Sequence, residues 1–153
     1  MEECRKIIFV DASDTGRAAM AKIMMRQRLR GATPEVLSRG LVVLFPEPMN
    51  QKAEAVLVSN GYSGKEHRAA QLLQEDIEPE TLILTMEDEQ KLKIWEDYEN
   101  VPRVYRFTDF VGESGDIPPL YGKPLTEYGA CCEWISVLID KLIEKIKGTK
   151  EAG

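Results

Sequence analysis

Residues 6–17 read Lys6-Ile-Ile-Phe-Val-Asp-Ala-Ser-Asp-Thr-Gly-Arg17. The first half of this segment is almost continuously apolar and β-branched, which is typical of a strand that is covered on both faces in a parallel sheet. The second half is short and polar, and it leads into a helical pattern from Thr15 to Arg30 that ends at Gly31. The segment therefore predicts a central strand, a tight loop and a helix.

The rest of the chain alternates between strand-like and helix-like segments. Strands are predicted at 37–45, 81–86 and 104–107, and helices at 51–60, 65–74, 88–98 and 128–148. Segment 108–124 is rich in Gly and Pro and is predicted to be a long loop, a length that usually serves function or disorder. Because strands joined by helices form right-handed crossovers, we expect an α/β fold with a doubly wound four-stranded parallel sheet and helices on both faces.

Two details of the helices are also predicted. Leu92 and Trp95 are expected to face inward from helix 88–98, and Gly148 is expected to close the last helix. The single domain then spans residues 1–148, and residues 149–153 form a flexible tail.

Length and composition restrict the class of protein. The chain has 153 residues, a formal net charge of -6 and three cysteines without metal-ligand spacing. We find no signal-peptide pattern and no apolar run long enough to cross a bilayer, so we expect a cytoplasmic protein with reduced thiols. The net negative charge argues against nucleic acid or a membrane as the partner.

The expected ligand site is the loop after the first strand. In open parallel sheets, ligands bind beyond the carboxyl ends of the strands, often where the first strand leads into its helix. Residues 11–18, which we call the anion loop, can direct backbone N–H groups and a helix N-terminus at an anion. Arg17 can then hold that anion with two hydrogen bonds.

The anion loop carries a family resemblance. The segment Val10-Asp-Ala-Ser-Asp-Thr-Gly-Arg-Ala-Ala-Met-Ala21 resembles the first strand and loop of the low-molecular-weight protein tyrosine phosphatases, which read roughly Val-Cys-Thr-Gly-Asn-Thr-Cys-Arg-Ser-Pro-Met-Ala. Further similarities follow in the family's order at 38–40, 67–72, 82–86, 110–112 and 115–122. The resemblance covers nearly the whole chain and implies the phosphotyrosine protein phosphatase I-like fold.

The resemblance also assigns roles to residues of this chain. It implies a phosphate-binding loop formed by Ala12, Ser13, Asp14, Thr15, Gly16 and Ala18 together with Arg17. It implies that Ser38 and His67 support that loop by hydrogen bonding. Phe45 and Tyr121 are expected to line the mouth of the pocket, and no metal or cofactor is expected.

The chain departs from the family where the chemistry takes place. Asp11 stands at the position of the nucleophilic cysteine, and Pro119 stands at the position of the aspartate that acts as general acid. The second loop cysteine and the loop serine of the family correspond to Gly16 and Ala18. Of the principal catalytic side chains, only Arg17 remains.

These departures predict an inactive or strongly impaired phosphatase, a pseudophosphatase with a binding or regulatory role. A carboxylate and a phosphate ~4 Å apart, at an effective dielectric constant of ~20, repel by roughly 4 kcal/mol per charge pair. Asp11 could instead pair with Arg17 and occupy the anion loop from within, and in either case phosphate binding is expected to weaken. The ligand is then a protein partner or a phosphorylated molecule that the sequence does not identify.

An alternative stays open at this point. Asp11 could accept a phosphoryl group, as the aspartate of haloacid-dehalogenase-like phosphatases does, which would make the chain an active divergent phosphatase of phosphotyrosine or another phosphomonoester. The Asp-x-x-Asp-Thr spacing differs by one residue from the motif of those enzymes, which also require Mg²⁺. Asp11 and Asp14 could also hold a cation, although a solvated pair of loop residues is the simpler interpretation.

Overall fold

A computed structural model of the chain describes the backbone of residues 4–152 and the side chains up to residue 148. Its sheet has four parallel strands in the order β2-β1-β3-β4. The strands are β1 (Lys6–Asp11), β2 (Glu35–Gly40), β3 (Thr81–Thr85) and β4 (Val104–Arg106). The predicted four-stranded parallel sheet with a central first strand is therefore confirmed.

Five α-helices connect or follow the strands within the described residues. They are α1 (Arg17–Leu29), α2 (Gln51–Ser59), α3 (Asp88–Asp97), α4 (Phe107–Phe110) and α5 (Leu125–Ala152). No helix among the described residues is both long and apolar enough to span a bilayer.

The central strand β1 separates two hydrophobic layers. Ile7 and Phe9 face the larger layer, which contains residues of α1, α2 and α5, whereas Ile8 and Val10 face a smaller layer that includes Ile94 of α3. All four of these β1 side chains are fully buried, which explains the continuous apolar run in the sequence. Each contributes roughly 1.5–3 kcal/mol by removal from water, and this burial positions the end of β1 rigidly.

Strand β2 is shorter than predicted, because it ends at Gly40 instead of continuing to residue 45. A Cβ atom on Gly40 would lie 2.8 Å from the carbonyl carbon of Ser13, so only glycine lets β2 approach the anion loop this closely. The chain then turns away, with the N–H of Val42 donating to the carbonyl of Ala12.

The predicted helix at 65–74 is wrong. This segment is mostly extended, with isolated bridges between Gly40 and Gln71 and between Pro48 and Arg68, and only residues 74–76 form a 3₁₀ turn. The Gln71 side chain binds the backbone of the segment after β2, accepting from Val43 N–H and donating to the carbonyl of Leu41. These tertiary hydrogen bonds replace the helical ones.

Other local predictions were also wrong. Leu92 and Trp95 are 51% and 52% exposed, and the buried residues of α3 are Gln90 and Ile94. Helix α5 continues through Gly148 to Ala152, since a single glycine costs a helix only ~1 kcal/mol. The loop predicted at 108–124 differs from the structure only at its start, where α4 extends to Phe110. Residues 111–124 form no helix or strand.

Candidate active site

The anion loop lies at the carboxyl end of β1, beneath a cavity of about 150 Å³. Loop residues 11–13 and 15–17 line one side, and residues 119–121 with Asn50 and Tyr128 line the other. The structure thus brings Pro119 and Tyr121 next to the anion loop, as their sequence assignment implies. Phe45 is 61% exposed and is not among the lining residues.

The carboxylate of Asp11 binds the loop itself. The side chain is 3% exposed; its Oδ1 accepts the N–H of Asp14 at 2.6 Å, and its Oδ2 accepts the N–H of Ala18 at 2.9 Å. Burial is the largest effect and holds the pKa of Asp11 above its ordinary value, although the N–H of Ala18, the charge of Arg17 and the N–H of Asp14 each lower it in part. Two N–H groups of the anion loop, which the sequence suggested for an external anion, are thus bound to an internal carboxylate.

Arg17 is bound elsewhere. Its Nη1 donates to Oε2 of Glu87 at 2.6 Å and to the carbonyl of Ile117 at 2.5 Å, and the side chain is 6% exposed. The Asp11–Arg17 ion pair, one of the two possibilities that the sequence left open, is not among the ion pairs of the described residues. The physical reason is that Glu87, just beyond β3, lies at the same sheet edge and competes for the guanidinium.

Glu87 and Ile117 are the functional neighbours that sequence reasoning missed. Glu87 could have been identified from the sequence, because it is acidic and directly follows the strand predicted at 81–86. The carboxyl ends of parallel strands meet at one edge of the sheet, where ligands bind. Nothing in the local sequence indicated the carbonyl of Ile117, which contacts Arg17 from 100 residues further along the chain.

Asp14 holds the loop from behind. It adopts φ 57°, a left-handed conformation that Asp tolerates better than most residues. Its Oδ2 accepts the N–H of Ala70 at 3.0 Å, and its carbonyl accepts Nε2–H of His67 at 2.6 Å. The structure therefore places His67 against the loop in the position suited to a supporting role.

Ser38 lies in the same buried cluster. The hydroxyl oxygen of Ser38 has no hydrogen-bond partner of good geometry, and neither has Oδ1 of Asp14. The hydroxyl is nevertheless close enough to lower the pKa of Asp14. Burial and the charge of Asp11 outweigh this effect and raise the pKa of Asp14 to about 7. Burial and three nearby cations lower the pKa of His67 to about 4, so its ring is neutral at pH 7.

Asp14→Asn is expected to stabilise the protein at pH 8 and to leave its stability nearly unchanged at pH 4. The carboxyl pKa rises from 3.8 in the unfolded chain to about 7 in the fold, so the folded state retains a proton that the unfolded state releases between these values. The free energy of unfolding of the wild type therefore falls, relative to the variant, as the pH rises through this window. Denaturant titrations at pH 4, 6 and 8 measure the difference.

The expected gain at pH 8 is on the order of 2 kcal/mol, because one pKa unit corresponds to about 1.4 kcal/mol and Lys22 loses a neighbouring negative charge. Asp97→Asn, which removes an exposed carboxylate from α3, is the control and should change stability little at any of these pH values. A pH-independent effect of Asp14→Asn would contradict the assignment.

Among the described residues that line the cavity, Asp11 is the only one with a carboxyl group. Pro119 lines the cavity and has no acidic group. Oδ1 of Asp116 accepts the N–H of Asp88 at 2.9 Å and Nη1 of Arg106 at 2.9 Å, and both interactions lower the pKa of Asp116. Asp116 is therefore an ionised surface residue outside the cavity lining.

The described residues contain no group of three or more His, Cys, Asp or Glu side chains arranged for a metal ion. Asp11 and Asp14 direct carboxylate oxygens at backbone N–H donors, which is the arrangement of an anion bound by amides. Cys131 lies close enough to Arg17 and Asp11 to sense their charges, but burial raises its pKa to about 12. Its thiol is thus protonated at neutral pH and is not a thiolate nucleophile.

Comparisons with known proteins agree with this fold. A family model described as low molecular weight phosphotyrosine protein phosphatase matches residues 6–152. The chain therefore belongs to the low molecular weight phosphotyrosine protein phosphatase family, as the resemblance of its sequence suggested.

The individual relatives share the whole domain. A protein-arginine-phosphatase from Geobacillus stearothermophilus is 32% identical over 145 residues, which cover 93% of this chain and 96% of the relative. The YwlE arginine phosphatase structure from G. stearothermophilus gives a TM-score of 0.90 at 29% identity, with 97% of this chain and 96% of that chain covered. A low molecular weight protein tyrosine phosphatase from T. tengcongensis gives 0.86 at 31% identity, with 92% and 98% covered.

Proposed function

We propose that this chain is a pseudophosphatase, a member of the phosphatase family that binds a partner and does not hydrolyse phosphomonoesters. The observation that carries the proposal is the binding of the Asp11 carboxylate by N–H groups of Asp14 and Ala18. The family uses this loop to bind the phosphate of its substrate, and here an internal anion occupies part of it.

The nucleophile position supports the proposal. A phosphate dianion that enters the loop meets the negative charge of Asp11, with a repulsion of roughly 4 kcal/mol per charge pair at ~4 Å. Displacing the carboxylate would leave a buried charge without its N–H donors, which costs several kcal/mol more. Attack by Asp11 would also require Mg²⁺ to offset this repulsion, as it does in aspartate-based phosphatases.

The leaving group lacks assistance as well. Loss of a general acid lowers the rate by ~10²–10⁴, and Pro119 lies where the family's acid would act. Arg17, the remaining catalytic side chain, is held by Glu87 and Ile117. Its guanidinium charge is partly neutralised before any ligand arrives.

The binding role is supported by exposed apolar side chains. Tyr121 lines the cavity and is 97% exposed, and Leu44 and Phe45, which follow β2 and do not line the cavity, are 88% and 61% exposed. Exposed apolar groups of this kind favour a protein partner. A cytoplasmic location belongs to the proposal, because three free cysteines suit a reducing compartment.

Purified protein is expected to show no hydrolysis of p-nitrophenyl phosphate or of phosphoarginine above a buffer blank. Phosphoarginine is included because a relative is an arginine phosphatase. The assay is run with EDTA and with Mg²⁺, and circular dichroism confirms that the same sample is folded. Turnover approaching ~1 s⁻¹, which lies in the ordinary range for enzymes, would overturn the proposal. Turnover that requires Mg²⁺ and is lost in Asp11→Asn would identify Asp11 as a nucleophile instead.

A further inference from the structure

A second pocket, which we call the rear pocket, lies between α1 and the segment before His67. It has a volume of about 460 Å³ and is lined by Lys22, Arg26, Ser63, Glu66 and His67, with Ile23 and Gln27 completing it. It shares no lining residue with the cavity above the anion loop. The rear pocket is therefore a separate opening.

Positive charge is concentrated around the rear pocket, in a chain whose net charge is -6. Lys22 and Arg26 are four residues apart on α1, a spacing at which like charges destabilise a helix. The charges of Arg26 and Arg39 help burial to lower the pKa of Lys22 to about 8. Arg26 and Arg68 also act on His67, so three cations, with Lys22 included, lie near this ring, and two of them line the pocket.

The neighbouring carboxylates leave much of this charge uncompensated. Asp76 pairs with Arg39. Asp14 is buried and lies close enough to Lys22 for its charge to act on the ammonium group. Glu35 lies near Arg26, and Glu66 lines the pocket with its side chain exposed. Within the described part of the chain, the ion pairs with N···O of 4.0 Å or less include none formed by Lys22 or Arg26.

Hydrogen-bond donors remain available at the same place. Nζ of Lys22 lies 2.5 Å from Nδ1 of His67, whose Nε2–H donates to the carbonyl of Asp14, so Nδ1 accepts one of the three ammonium N–H bonds. Arg26 uses its Nε–H on the carbonyl of Val36 at 2.7 Å, and the described contacts include none from its terminal nitrogens. An ammonium and a guanidinium with unused donors thus line one small pocket.

We propose that the rear pocket binds a compact phosphate group, held by the ammonium of Lys22 and the guanidinium of Arg26. Phosphate suits this arrangement because guanidinium groups bind its oxygens with two parallel hydrogen bonds and an ammonium adds a point charge. The same phosphate chemistry is present in inorganic phosphate and in phosphate monoesters of small molecules. The proposal is independent of the pseudophosphatase proposal, since it concerns a different pocket and rests on Lys22 and Arg26, neither of which lines the cavity above the anion loop.

The test uses the full chain, labelled with ¹⁵N, and titrates it with inorganic phosphate at pH 7 and constant ionic strength set with NaCl. Backbone amide shifts report the location of binding. We expect saturable shifts at Gln27, Ser63 and Glu66, which surround the rear pocket. A parallel titration with glycerol phosphate distinguishes inorganic phosphate from phosphate monoesters. If glycerol phosphate binds as tightly as inorganic phosphate or more tightly, the pocket is a monoester site; if only inorganic phosphate binds, it is a free-phosphate site. Both outcomes support the proposal.

Two variants test the proposed contacts, and a third serves as the control. Arg26→Gln and Lys22→Gln should each raise the phosphate Kd about tenfold or more, since one hydrogen bond from a charged donor contributes ~1.5–3 kcal/mol. Lys22→Gln retains an N–H donor for His67, and Arg26 is exposed, so both variants should fold. Lys93→Gln removes one exposed positive charge from α3 and should leave the Kd unchanged.

Three results would overturn the proposal. Absence of saturable shifts in the wild type would show that no phosphate binds. An equal loss of affinity in Lys93→Gln would show a general charge effect. Shifts confined to residues 12–18 would place the phosphate in the anion loop, and that result would also count against the pseudophosphatase proposal.

Discussion

The double variant Asp11→Cys/Pro119→Asp is expected to hydrolyse p-nitrophenyl phosphate, whereas the proposal expects no hydrolysis by the wild type. The N–H groups that now bind the Asp11 carboxylate, those of Asp14 and Ala18, are positioned to stabilise a thiolate in the same place. Such a site, at a helix N-terminus with Arg17 nearby, lowers a cysteine pKa and increases the thiolate fraction at pH 7. Position 119 lines the same cavity, so a carboxyl group there faces the loop.

The two changes should act as a unit. A general acid contributes ~10²–10⁴ in rate, but only once a nucleophile is present, so the double variant should exceed the product of the single effects. Single and double variants are compared by kcat/KM at several pH values. Asp11→Ser/Pro119→Asp is the matched control, because its hydroxyl has the size of the thiol without a pKa that yields an anion at neutral pH.

A folded but inactive double variant would contradict the view that inactivity resides in two side chains. The loop would then have been altered by Gly16, Ala18 or Asp14, which also differ from the family pattern. Equal melting temperatures of the variant and the wild type would be needed to separate this outcome from misfolding.

Asp11→Ala is expected to raise the affinity of the anion loop for phosphate or vanadate by ~10²–10³. The change removes a repulsion of roughly 4 kcal/mol, of which part is offset because the loop loses the hydrogen bonds that the carboxylate made to it. It also frees the N–H groups of Asp14 and Ala18 for the ligand. Amide shifts of residues 12–18 measure this binding separately from any binding in the rear pocket.

Asp97→Ala removes the same charge from the surface of α3 and serves as the control. It should leave anion binding unchanged, because the Debye length at physiological salt is only ~8 Å. If Asp11→Ala and Asp97→Ala bind phosphate equally, the Asp11 carboxylate is not what blocks the anion loop.

Much of the fold could be predicted from local patterns. The buried run from Lys6 to Asp11 determined the central strand, because a strand covered on both faces must be apolar at every position. The failures came from tertiary contacts. Segment 65–74 looked helical, but the side chain of Gln71 binds the backbone after β2 and keeps this segment extended.

The candidate site, like the fold, was predicted in part from the sequence and decided in part by tertiary contacts. The sequence by itself determined that Asp11 opens the loop after the central strand and that Pro119 lies in the long segment before the last helix, because strand and helix patterns are local. The match of these two residues to the family's nucleophile and acid belongs to the proposal. The tertiary structure alone decided what these residues contact. Arg17 binds Glu87, 70 residues away, and the Asp11 carboxylate binds its own loop, since partners at one sheet edge are set by strand order rather than by neighbouring residues.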